Sequence, residues 1–201
     1  YRRDGGTVTP VVENAALQIK NAEENARRRY VNEGLARFAE ILRTRSNNIQ
    51  ELGDVFIREI VKNRGAKQGG LFLHNTRDAE GPVIELASAF AYNRKKNMQK
   101  SLLPGEGLVG ACALEKQVIN LTEIPEGYIT ITSGLGDARP NNLLLIPVLH
   151  EDVLIGVMEI ASLNRFQDHE IRFASEVAGS LGATIDYARN NQRTADLLEK
   201  S

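Results

Sequence analysis

The side chains that could do chemistry are few and scattered. Three histidines, His74, His150 and His169, lie far apart, each beside a turn or a helix start. No pair has the i, i+4 spacing that sets two imidazoles on one face of a zinc-binding helix, so they are expected at the surface or at helix caps. The single cysteine, Cys112, stands among Ala111, Ala113 and Leu114, where a thiol behaves as a small buried hydrophobe. One cysteine excludes a disulfide framework and any all-cysteine metal site within one chain. No serine, histidine and acid triplet, and no carboxylate pair on a glycine turn, forms a catalytic set. Neither a metal nor a cofactor is expected.

Binding is the better prospect. Gly105, Gly107 and Gly110 let the chain turn sharply and bring a helix end close to a sheet. Their spacing is that of neither a P-loop nor a dinucleotide fingerprint, and no Gly-Lys-Ser/Thr appears. Glu159 is an acid inside an apolar strand, between Met158 and Ile160. Either it faces solvent or pairs with an arginine, or it faces inward as the polar anchor of a pocket. Residues 122–142 form a long segment rich in Thr, Gly and Pro. Tyr128, Thr130, Thr132, Ser133 and Gly134 there supply hydroxyls, backbone donors and a ring. Loops of that length are functional or disordered, and closure over a ligand and self-packing both stay open. With Tyr92 at a strand end, the candidate ligand-binding residues are Tyr92, Cys112, Tyr128, Thr132, Ser133 and Glu159.

Composition narrows the class. A chain of 201 residues holds one ordinary domain with helical extensions. With 25 basic and 26 acidic residues the net charge is −1, so global charge offers no reason to expect nucleic acid. No stretch approaches the ~20 apolar residues that cross a bilayer. The lone cysteine suits a reducing, cytoplasmic setting. The chain opens on Tyr1, so it is expected to be cut from a longer protein, and a membrane segment upstream is left open.

Periodicity supplies the elements. Val12 to Arg43 is expected to be a helix whose seam, Val31, Leu35, Phe38 and Leu42, alternates steps of four and three, as in a helix that pairs with another. The run Arg27-Arg28-Arg29 is read as a solvated face. Ser46, Asn47 and Asn48 bring capping chemistry, with Glu51 as a capping-box acid. A second helix follows, with Ile49, Leu52, Phe56 and Ile60 on one stripe, ending at Arg64-Gly65. Strands are expected at 70–73 and 83–91 as a hairpin, at 118–121, and at 143–149 and 154–161 around a turn at Glu151-Asp152. A helix is expected over 105–116. A last helix, capped by Asp168, carries Ile171, Ala174, Val177, Leu181 and Ile185 and continues weakly to Leu198. Hairpins without βαβ crossovers predict an α+β fold: an antiparallel sheet with helices on one face and long helices at both ends.

At this point the chain resembles a GAF domain, a small-molecule-sensing relative of the PAS fold. The likeness rests on "GGLFLHN", "VIELASAFAY", "LPGEGLVGACALEKQVINLTEIP" and "NNLLLIPVLHEDVLIGVMEIASLNRFQDHEIRFASEVAGSLGATI", in that order. It implies a linker and signalling helix over 1–45, a GAF domain over 46–187, and a helical extension toward an output module over 188–201. The cysteine-histidine pair of bilin-binding relatives is absent, since Ala113 follows Cys112, and the several cysteines of methionine sulfoxide reductases are absent too. Asn164-Arg165-Phe166 and Asp168-His169-Glu170 echo the cyclic-nucleotide-binding set, but with Arg165 for lysine and the acidic pair split. The resemblance therefore implies a non-catalytic sensory or dimerisation module of bacterial signal transduction. Its output would be the histidine kinase of a two-component system, a cyclase or a chemotaxis-like unit. The alternatives are the ligand-binding domain of a transcription regulator and, more weakly, a GAF-fold enzyme. The expected partners are a second copy, paired through Val31, Leu35, Phe38, Leu42, Ile185 and Leu197, and a small-molecule ligand, but no nucleic acid. A membrane would enter only through segments outside this chain.

Overall fold

A computed structural model describes residues 9–77, 81–91, 101–128, 131–133 and 136–201. The chain divides into two compact units, residues 1–37 and residues 38–201. Helix α1 (Thr9–Thr44) begins in the first. There Val11, Val12, Leu17 and Ile19 are all exposed, and Val31 and Leu35 are partly so.

The second unit starts with the last turns of α1 and continues into α2 (Ile49–Asn63). The Asn48 side chain caps α2 as expected, its Oδ1 accepting the Glu51 N–H at 3.1 Å. Gly65, at φ 61°, takes the left-handed conformation that ends it. Leu52, Phe56, Ile57, Ile60 and Val61 form the buried stripe.

Next come β1 (Gln68–Arg77), β2 (Gly81–Phe90), β3 (Ser101–Leu102), α3 (Gly107–Glu115) and β4 (Ile119–Leu121). The small pair β5 (Ile131–Ser133) and β6 (Gly136–Ala138) precedes β7 (Asn142–His150), β8 (Val153–Ser162) and α4 (Asp168–Glu199). The main sheet runs β3-β2-β1-β8-β7-β4 and every neighbouring pair is antiparallel. Three strands escaped the sequence pattern: β3 and the β5–β6 hairpin within the segment read as a loop. Elements of two or three residues are too short to show alternation, and these lack the Val-Ile-Asn-Leu run that marks β4.

Pleating splits the sheet into two faces. Helices α2 and α4 pack on one, with Met158 and Ile160 of β8 among its fully buried residues. The short α3 lies on the other, where Val109, Cys112 and Ala113 meet Phe72, Ile84, Leu143, Leu145, Val157 and Ala161. On the helical face, the Phe38 ring sits 5.0 Å from Phe56 and 5.9 Å from Phe173, and the Arg64 guanidinium stacks 3.8 Å over Phe173.

Two expectations change here. Phe38 and Ile185, read as seam residues between copies, are 1% and 0% exposed within this chain's own core. A three-and-four spacing serves an intramolecular core as well as a partner helix, and this chain's own core takes these two, Phe38 against Phe56 and Phe173. The last helix is capped at Gln167 instead of Asp168. The Gln167 N–H donates to Glu170 Oε1 at 3.0 Å, and Asp168 is already inside the first turn.

Gly156 is the tightest point of the sheet, because a Cβ there would collide with the Phe72 carbonyl oxygen of β1. Gly156→Ala is expected to lower stability by about 2 kcal/mol or more in chemical denaturation. Gly179 on α4 has nothing within 4 Å of a Cβ. Gly179→Ala should therefore raise stability by up to about 1 kcal/mol in the same assay.

Candidate ligand-facing site

The face of the sheet that carries α3 is apolar except at one place. Strand alternation puts Glu159 between Val157 and Ala161 on this face, which answers the question its sequence position left open. Its carboxylate is 3% exposed, and Oε2 accepts a hydrogen bond from the Tyr128 hydroxyl at 2.9 Å. The backbone brings Tyr128 there through the segment after β4, where a turn bonds the Tyr128 N–H to the Pro125 carbonyl at 3.3 Å.

Cys112 completes the group from α3. It is fully buried, and its thiol donates to the Gln117 carbonyl at 3.3 Å. Burial, then the charges of Glu115 and Glu159, push the thiol from 9.0 up to about 12. Tyr128 is pushed above the usual phenol range, first by burial, then by the Glu159 charge and its hydrogen bond. At neutral pH the site therefore offers a protonated thiol and a neutral phenol beside the Glu159 carboxyl group, with apolar walls. This set holds and orients; it supplies no activated nucleophile.

Of the six ligand-binding candidates, the fold brings together Cys112, Tyr128 and Glu159. Tyr92 lies outside the described residues. Thr132 and Ser133 fall on β5, paired with β6, and their side chains are not among those described.

The histidines take other work. His150 Nδ1 lies 2.9 Å from Asp186 Oδ2, and its ring sits 5.5 Å from that of Tyr187. His74 is half-buried on β1, its pKa lowered by burial and by the Arg189 charge. Among the described residues no group of three or more metal-ligating side chains occurs.

One residue that the sequence did not flag organises the surroundings. Asn142, fully buried, donates to Asn120 Oδ1 at 2.6 Å and to the Leu121 carbonyl at 3.0 Å, and accepts the Phe166 N–H at 2.8 Å. It ties β4 and β7 to the loop before α4, and it gives the Asn164-Arg165-Phe166 segment a structural role. Two open grooves lie elsewhere: one of about 470 Å³ beside Asn47, Asn48 and Asn191, and one of about 420 Å³ beside His74, Asn75 and Arg189.

The comparisons agree with this geometry. A family model described as GAF domain matches residues 46–186. The GAF domain of an Acinetobacter phosphoenolpyruvate-protein phosphotransferase is similar at TM-score 0.62 and 18% identity, covering 80% of this chain and 98% of that one. The corresponding domain from Coxiella burnetii gives 0.60 and 24%, covering 78% and 96%. A free methionine-R-sulfoxide reductase from Neisseria meningitidis, solved with its substrate, gives 0.63 and 15%, covering 80% and 91%. The same fold thus occurs in reductases and in domains of other enzymes. No curated protein sequence matches the chain.

Two outcomes are expected of the site. At neutral pH a thiol at about 12 instead of 9.0 exposes roughly a thousandfold less thiolate, so native Cys112 should label at least that much more slowly than the urea-unfolded chain. The folded state also keeps two protons that the unfolded chain releases near 9.0 and 10.0. Stability should therefore be intact below pH 9 and fall as pH rises past it, in thermal melts. Tyr128→Phe should flatten that fall.

Proposed function

Because this chain belongs to the GAF domain family, whose model spans residues 46–186, we propose that it is a non-catalytic sensory and dimerisation module of a bacterial signalling protein. It relays a small-molecule or conformational signal through its flanking helices to a downstream output such as a histidine kinase, a cyclase or a chemotaxis-like unit. The observation that carries this reading is the length of α4 relative to its sheet. Its last buried residue is Ile185, yet the helix continues from Asp186 to Glu199, 14 residues (199 − 185) and ~21 Å further.

That extension ends with Leu197 and Leu198 at 69% and 71% exposure. Val31, Leu35 and Leu42 of α1 are each left partly exposed. Half-covered apolar positions on long helices suit a second copy, paired helix to helix. In this reading a ligand would lie against Glu159 and Tyr128, on the face of the sheet that carries α3. The protonated state of Cys112 favours sensing over reductase chemistry. The reading places the domain in the cytoplasm, as a soluble protein or as the cytosolic part of a membrane-anchored one.

Sedimentation equilibrium should show a dimer at micromolar concentration. Leu197→Cys, in a Cys112→Ala background, should give a disulfide-linked dimer under mild oxidation. A strict monomer that fails to cross-link would end the relay reading.

A further inference from the structure

Helix α4 is held to the sheet in two different ways along its length. From Phe173 to Ile185 it is docked by buried apolar side chains: Phe173, Ala174, Val177, Ala178, Leu181 and Ile185. Beyond Ile185 no residue of α4 is fully buried. The inward positions become Asp186, Arg189, Arg193 and Asp196, at three- and four-residue steps, and they line the open groove of about 420 Å³ that separates the helix from β1 and β8.

One side chain crosses it to β1. Arg189 donates from Nη1 to the His74 carbonyl at 3.0 Å and from Nη2 to Asn75 Oδ1 at 2.8 Å. Asn75 in turn donates to Glu85 Oε2 of β2 at 3.4 Å. The neighbouring clamp, Asp186 to His150, reaches β7 one turn earlier. After Arg189, every residue from Asn190 to the end of the helix is exposed. Among the described residues no hydrogen bond or ion pair joins that stretch to the sheet.

We propose that Arg189 is a releasable latch: the α4 segment Ala188–Glu199 is seated along β1 when the guanidinium holds His74 and Asn75, and swings free as a unit when those acceptors are lost. A planar fork on two acceptors from adjacent residues gives a single seated geometry. Its loss leaves no fully buried apolar side chain to keep the segment in place, and a short isolated helix is only marginally stable in water. Since the acceptors are β1 backbone and a side chain that leans on β2, a shift of the β1–β2 hairpin alters the latch directly. The proposal does not rest on the relay reading. A chain that never dimerised would still have the latch.

Hydrogen exchange followed by mass spectrometry on the whole 201-residue chain tests it. Arg189→Gln should reduce protection of amides 190–199 at least roughly tenfold while amides 170–185 stay as in the parent chain. Asn75→Ala, which leaves Arg189 in place, should act in the same direction and less strongly. Spin labels at Thr76→Cys and Gln192→Cys in a Cys112→Ala background, diluted with unlabelled protein, should show one narrow intramolecular distance. Arg189→Gln should broaden it. Unchanged protection and distance in both variants would overturn the latch. So would an equal loss of protection over 170–185, which would make Arg189 a rivet of the whole fold.

Discussion

The pairing of β1 with β8 is the constraint on which the rest depends. It joins residues 87 positions apart, Leu71 with Met158 (158 − 71), and places the first long strand at the centre of a sheet whose other strands are mostly hairpin neighbours. The contact is close enough that Gly156 has no room for a side chain against the Phe72 carbonyl. Once that register is set, alternation decides the two faces: Met158 and Ile160 go to the long helices, Val157, Glu159 and Ala161 to α3. A slip of one residue would send Glu159 into the helical core and Ile160 to the polar partner it could not use.

The same alternation explains the character of the side that carries α3. A carboxylate on an apolar surface is costly unless bonded, and the Tyr128 hydroxyl supplies one bond at 2.9 Å. The chain thus uses its own phenol where an external donor would otherwise be welcome. Around this pair, Cys112 contributes volume and a weak bond to the Gln117 carbonyl, and its raised pKa follows from that seclusion. The polar groups of this face bond to one another, while His150 is engaged elsewhere, with Asp186 and Tyr187.

Much of this was legible in the sequence. Helix periodicity, the Asn48 cap, the Gly65 stop, the Glu151-Asp152 turn, the four long strands and the short β4 all have local signatures, and the structure carries each of them. The family motifs then gave the order of the elements. What stayed hidden depends on non-local contact. Periodicity marks Phe38 and Ile185 as apolar positions on helices, but only the fold says which surface covers them. Nothing adjacent to Asn142 announces that it will join three segments. The side on which Glu159 lies follows from a register that no short stretch encodes. Gln167 displaces Asp168 as the cap by one residue, a difference set by how the loop from β8 turns.

Phe173 has one more implication. Its ring meets Phe38, from the last turns of α1, and also carries the Arg64 guanidinium at the close of α2. The base of the incoming helix and the base of the outgoing one therefore bear on the same aromatic plate, on the side of the sheet away from Tyr128 and Glu159. The two helix bases thus share one packing contact, separate from the face that carries α3. Loss of this ring would therefore loosen both helix bases at once, with the Tyr128–Glu159 pair on the opposite face left in place.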